Sequence, residues 1–133
     1  MKSNYSITID HKNRLINHKH YGLIERKQLG QAWMEIIKMT EFLKHEYGLL
    51  SDYREGSFNF SIDNIDPIWD FLNANANLLK GKIEAVLVDN PKDTVIPVLF
   101  QNSIYERIGF AVKIFSTQEA AKEWLKANDT IMQ

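Results

Sequence analysis

The sequence predicts an α/β domain on a single five-stranded mixed sheet, with elements in the order β-β-α-β-α-β-α-β-α, the first hairpin antiparallel and the remaining strands parallel. Three observations lead there. Tyr5, Ile7 and Ile9 alternate with Ser6, Thr8 and Asp10, the period of a half-buried strand. Farther along, stretches of helical period separate short apolar runs, the pattern of strands joined by right-handed crossovers. In the clearest run, Ile83 to Val88, the residues Ala85, Val86, Leu87 and Val88 are consecutive and uncharged, so a strand built from them is covered on both faces. That strand, which stops at Asp89-Asn90-Pro91, is the expected midline of the sheet.

At 133 residues the chain fits one domain, residues 1–133, burying about two-thirds of the surface its unfolded form exposes. Sixteen basic against seventeen acidic residues leave a net charge of −1, without the broad positive field of a nucleic-acid or anionic-membrane binder. The absence of cysteine excludes disulfides, thiol catalysis and thiolate metal sites. No stretch has the apolar core of a signal peptide or approaches the roughly 18 apolar residues of a membrane span, so a soluble, cytoplasmic protein is expected.

After the first strand, His11-Lys12-Asn13 makes a turn too short for a parallel crossover, so Leu15 to Tyr21 returns antiparallel. Its polar succession Asn17-His18-Lys19-His20 has the profile of an edge strand protected by polarity. From Glu25 to His45 the period becomes helical, with Leu29, Trp33, Ile36, Ile37, Thr40 and Leu43 on one stripe and Gly48 as the C-cap glycine. Leu49 to Tyr53 is the third strand, followed by a loop from Arg54 that carries Phe58 and Phe60.

Ser61 to Asn64 offers caps for a helix whose inward residues are Ile65, Ile68, Trp69, Leu72, Ala76 and Leu79, with Pro67 in its first turn. Beyond the Ile83–Val88 strand, Asp93 or Thr94 caps a helix to about Arg107, with Pro97 again in the first turn. Ile96, Phe100 and Tyr105 make that helix apolar on more than one face. Phe110 to Phe115 is the last strand, and Thr117 caps a final helix from Gln118 to Asn128 with Ala121, Trp124 and Leu125 inward. Residues 129–133 read as a loose tail.

In open parallel sheets ligands lie beyond the carboxyl ends of the strands. That places Asp52, Ser57, Ser61, Asp89, Asn90 and Thr94 on a candidate binding or regulatory rim, although the same acids and hydroxyls serve as helix caps. Asp63 and Asp66 sit at a helix start, where acids complement the dipole without catalysing anything. His18 and His20 share one side of a strand, a spacing that makes half a metal site, but no third ligand is evident, and solvated edge-strand histidines are the expectation. Trp33, Trp69 and Trp124 lie on inward stripes and read as core. No nucleophile elbow, phosphate-binding glycine loop or zinc signature is present, so neither a catalytic residue nor a metal or other cofactor is assigned.

The order of elements and the stretch GKIEAVLVDNPKDTVIPVLFQNSIYERIGFAVKIFSTQEAAKEWL resemble the STAS-like proteins of SpoIIAA-type fold, especially the small bacterial relatives compared with CRAL-TRIO lipid-binding domains. The closing pattern is the most specific: Val112-Lys113-Ile114-Phe115, then Ser116-Thr117, Glu119-Ala120-Ala121 and Trp124-Leu125. The resemblance spans Tyr5 to Lys126. In the anti-sigma-factor antagonists of that superfamily, the loop after the third strand carries Asp-Ser-Ser-Gly, with a regulatory phosphorylated serine. Here the loop runs from Asp52 to Asp63 and lacks the motif; Ser61 occupies the first serine's place by count, between Phe60 and Ile62.

A complete fold of this type without a catalytic constellation is expected to be a non-enzymatic regulatory or protein-interaction module, with the apolar Phe58, Phe60, Ile96, Phe100 and Tyr105 as its candidate contact surface for a protein partner or a second copy of itself. Its alternative is a carrier of a small apolar or lipid-like ligand, which requires a cavity. An enzyme using Asp52, Asp89 or a histidine at the rim is the third reading.

Overall fold

The computed structural model describes residues 4–61 and 65–128, without the side chains at 91–96, 99, 100 and 102. Strands β1 (Tyr5–Asp10), β2 (Leu15–Ile24), β3 (Gly48–Phe58), β4 (Ile83–Leu87) and β5 (Ala111–Phe115) form one sheet in the order β1-β2-β3-β4-β5. Only β1 and β2 pair antiparallel; β2 to β5 are parallel. Helices α1 (Arg26–Ile36), α2 (Thr40–Leu43), α3 (Asp66–Ala74), α4 (Ala76–Leu79), α5 (Pro91–Ile108) and α6 (Gln118–Ala127) supply the crossovers and the closing element.

This order corrects two expectations. The midline is β3, with β4 one place nearer the edge, although β4 is covered on both sides: Ala85 and Leu87 pack with Ala121 and Leu125 of α6, and Val86 packs on the opposite face. Nor is β2 an edge strand, since it lies between β1 and β3. Its alternation is real but hidden by residue type. Ile16, His18 and His20 point into the core, while the half-buried Asn17 and Lys19 alternate with them.

The first long helix is broken at residues 37–39, with Met39 in extended conformation (ψ 132) before α2. At 100° per residue, Phe42 would lie about 170° from the stripe of Leu29, Trp33, Ile36 and Ile37 on a continuous helix. The break turns it inward, and it is fully buried against Trp33. The turn into β3 uses Glu46 (φ 55), not Gly48. Gly48 is needed for a different reason: Leu125 Cδ2 lies 3.2 Å from where its Cβ would be. The next helix also divides, at Asn75, whose side-chain amide donates to the Phe71 carbonyl at 2.8 Å. Its cap is Ile65 rather than Ser61, while residues 62–64 lie outside the described set. Because α5 begins at Pro91, Pro97 falls well inside it and leaves one helical hydrogen bond unmade. Thr117 does cap α6, its hydroxyl accepting from the Ala120 N–H at 3.3 Å. The tail at 129–133 lies outside the described residues.

β3 runs five residues beyond Tyr53, through the expected loop, and pairs with Tyr21 to Ile24. Register passes from Lys19↔Asp52 to Tyr21↔Glu55, so two residues of β3, Tyr53 and Arg54, oppose His20 alone. This bulge inverts the facing of the rest of β3 and carries Phe58 into the core beside Ile24. Gly56 lies in this arm, where an added Cβ would sit 2.6 Å from Ile24 Cδ1 and 3.2 Å from the Gly22 carbonyl oxygen. Ile24 is fully buried and the Gly22 carbonyl is backbone, so Gly56→Ala is expected to cost about 1–3 kcal/mol in urea unfolding. Gly30→Ala, with nothing within 4 Å of the new Cβ, is the control and should stabilise by up to about 1 kcal/mol. Equal effects of the two substitutions would refute this account of the arm.

Candidate functional site

Three adjacent strands place a polar chain inside the core. His18 on β2 stands opposite Ser51 on β3, and Glu84 on β4 stands opposite Leu49, one step along the same face from Ser51. Ser51 Oγ donates to Glu84 Oε2 at 2.5 Å, and His18 Nδ1 lies 3.0 Å from the same hydroxyl. With its single proton on Glu84, Ser51 can only accept from His18, which fixes the imidazole as the Nδ1–H tautomer. Protonating Glu84 permits the reverse polarity, carboxyl to Ser51 to His18.

All of these groups are enclosed: His18 is 1% exposed, His20 and Ser51 0%, and Glu84 5%. Burial pushes the Glu84 carboxyl up to about 7, against the smaller opposing effect of the Ser51 hydrogen bond. Burial, with His20 alongside, lowers His18 to about 3, and burial lowers His20 to about 4, so both imidazoles are neutral at pH 7. Tyr53 is raised well above its ordinary value, first by burial and then by Glu84, while hydrogen bonds to Ser51 and Trp33 act in the opposite direction. The His20 ring stacks on Tyr53 at 5.6 Å and meets His18 edge-on at 4.7 Å. Among the described residues neither ring nitrogen of His20 has a hydrogen-bond partner, nor does His18 Nε2.

The two histidines therefore do share a face, as their spacing requires, but they are core residues rather than solvated ones. The edge-strand reading failed because a strand's place in the sheet is decided by its partners, not by its own polarity. Among the described residues no three His, Cys, Asp or Glu side chains converge as metal ligands.

Next to this chain lies a cavity of about 90 Å³ beneath α1, α3 and α5. Its wall is apolar and aromatic, including Trp33, Phe58, Ile104 and Phe110, and Tyr53 and Glu84 bring the polar groups to it. Leu29, Trp33, Ile68 and Leu72 are shared with an adjoining hollow of about 240 Å³ toward the surface, bordered by Arg26 and Gly30. The bare backbone of Gly30 leaves that space open, with nothing among the described residues outside its own helix turn within 4 Å of its Cβ position.

The rim residues are placed differently. Asp52 lies opposite Leu87, and Asp89 and Asn90 follow the end of β4, so these three do come to one end of the sheet. Asp52 is committed there. Arg54 donates to it from its backbone N–H, Nε and Nη2 at 3.0, 3.0 and 2.9 Å. Burial would raise this carboxyl, but Arg54 outweighs burial and holds it low. Asp52 and then Asp89 in turn favour the charged form of Arg54. Ser57 pairs opposite Leu23 farther along the arm than Asp52, and Ser61 lies beyond the end of β3. The Thr94 side chain is not described.

Of the expected contact residues, Phe58 is a correction: it is 7% exposed and packs on Tyr53 at 5.0 Å. Phe60 is partly buried against Phe58. Tyr105 is 62% exposed and, with Val98, forms an outward face of α5, while Pro97 and Ile104 point into the cavity. The Ile96 and Phe100 side chains lie outside the described set. Ser51 and Glu84 were missed as candidates, although an acid inside the covered run IEAVLV is a readable signal, since such an acid needs a buried partner.

A single mixed sheet with this strand order and these crossovers defines the SpoIIAA-like fold. The fold of this chain is similar to the crystal structure of an uncharacterised protein of the DUF3478 family from Shewanella loihica PV-4, described as having a SpoIIAA-like fold, with a TM-score of 0.59 and 17% identity over 94% of this chain and 98% of that one. No family model matches the sequence, and no curated protein matches it. Among the described residues no helix is long and apolar enough to cross a membrane.

Proposed function

We propose that this protein is a non-enzymatic STAS-like binding module whose ligand is a small apolar molecule held between the sheet and α1, α3 and α5. The carrying observation is the aromatic cavity above Glu84 and the adjoining hollow bordered by Arg26 and Gly30. An engineered cavity of about 150 Å³ accommodates benzene, so the two adjoining spaces suit a ligand of that order with a short extension. A regulatory role then follows if occupancy alters what α5 presents, because one side of this helix lines the cavity and the other exposes Val98 and Tyr105 to a protein partner or a second copy. The non-enzymatic reading is supported by Ser51, which is wholly enclosed and gives a substrate carbonyl no approach.

Toluene titration followed by methyl NMR tests the cavity. Shifts are expected at Leu29, Ile68, Leu72 and Ile104, and Gly30→Met, which fills the outer hollow, should weaken binding at least tenfold while the chain stays folded. Unshifted methyls at saturating toluene would refute the reading.

A further inference from the structure

We infer that the preferred ligand is a small apolar amine, held with its nitrogen on Glu84 and its apolar body against the aromatic wall. The inference rests on the cavity reading above and adds the chemistry of the head group. When ionised, the carboxyl of Glu84 only accepts hydrogen bonds, and among the described residues Ser51 is its one side-chain hydrogen-bond partner. Four rings, Trp33, Tyr53, Phe58 and Phe110, border the same space. Aromatic faces attract a cation and disfavour an anion.

No described side chain of the inner cavity is cationic. Among the described residues that line the outer hollow, Arg26 is basic. A fatty-acid-like carboxylate entering head first would place its charge against Glu84 with nothing to neutralise it. An alcohol can donate one hydrogen bond to Glu84. An ammonium donates and also carries the complementary charge.

The groups facing Glu84 leave the proton balance simple. From β3 come Ser51 and the protonated Tyr53, and from β2 comes the neutral His18, through Ser51, with neutral His20 behind it. The described side chains that α1, α3, α5 and β5 contribute to the cavity are all uncharged. Binding an ammonium to the protonated carboxyl therefore releases one proton from Glu84 to solvent, and the ammonium replaces it as the compensating charge. Affinity for the amine must rise with pH until Glu84 is ionised in the free protein, while affinity for a matched alcohol is not strengthened.

The test uses 2-phenylethylamine, 2-phenylethanol and 3-phenylpropionate, titrated by calorimetry into the parent chain and Glu84→Gln at pH 6 and pH 8. In the parent the amine is expected to bind at least tenfold more tightly than the carboxylate at pH 8, and its affinity should rise about tenfold from pH 6 to pH 8 as Glu84 ionises. Glu84→Gln should keep the alcohol and lose both the amine preference and its pH dependence. Equal binding of all three compounds would overturn the amine assignment and leave the cavity reading standing. Binding of none would overturn both. The pH comparison in the parent stands even if the variant fails to fold.

Discussion

Between pH 6.5 and pH 4.5 the protein is expected to lose about 2 kcal/mol of folding stability, and Glu84→Gln about 4 kcal/mol. Two opposing linkages produce this. His18 and His20 have folded values of about 3 and about 4 against 6.5 unfolded, so the unfolded chain takes up protons first as the pH falls. Their contribution is complete above 6.5 and declines below it, by about 2 kcal/mol each over this window. Glu84 has the opposite sign. Its folded value of about 7 exceeds 4.5 unfolded, so the native state holds the extra proton, and its contribution is complete below 4.5 and lost as the pH rises through 7. Acidification from 6.5 to 4.5 therefore recovers about 2 kcal/mol at Glu84 and offsets half of the histidine loss. Above 6.5 the two effects nearly cancel and stability is flat. Urea unfolding at pH 4.5, 5.5, 6.5 and 8 measures the profile; a Glu84→Gln slope no steeper than the parent's would contradict it.

Ser51→Ala is expected to destabilise by about 2–6 kcal/mol at pH 7, although it removes a single oxygen. The hydroxyl satisfies Glu84 Oε2 and His18 Nδ1 at once, and both would be left buried and unpaired, at about 1–3 kcal/mol each. A serine acting only as a small core residue would cost far less. The discriminating variant is Ser51→Ala combined with Glu84→Leu, which removes the stranded carboxyl and fills its place with an apolar side chain. The pair should recover at least half of the loss, with a coupling of about 1 kcal/mol or more in a double-mutant cycle. Additive effects of the two substitutions would mean that the relay contributes no cooperative stability.

The fold was largely legible because its signals are local. Alternation in Tyr5 to Ile9, the covered run at Ile83 to Val88 and the Thr117 cap of the last helix each depend on neighbours within one or two turns. The candidate site was not. His18 and Ser51 are 33 residues apart, as are Ser51 and Glu84, and a proton chain exists only when β2, β3 and β4 are adjacent and in register. Asp52, Asp89 and Asn90 lie at one end of the sheet, where Arg54 already donates to Asp52.

What the sequence by itself determined is the type and order of the elements and the antiparallel start of the sheet, since hydrophobic period and a three-residue turn suffice for them. Tertiary structure decided which strand is central, that the polar strand β2 is interior, and that a bulge opposite His20 turns Phe58 inward. It alone created the cavity above Glu84. Strand partners, register and the gap beneath three helices are relations between distant segments, and burial converts an ordinary histidine, serine and glutamate into a coupled set only after those relations are in place.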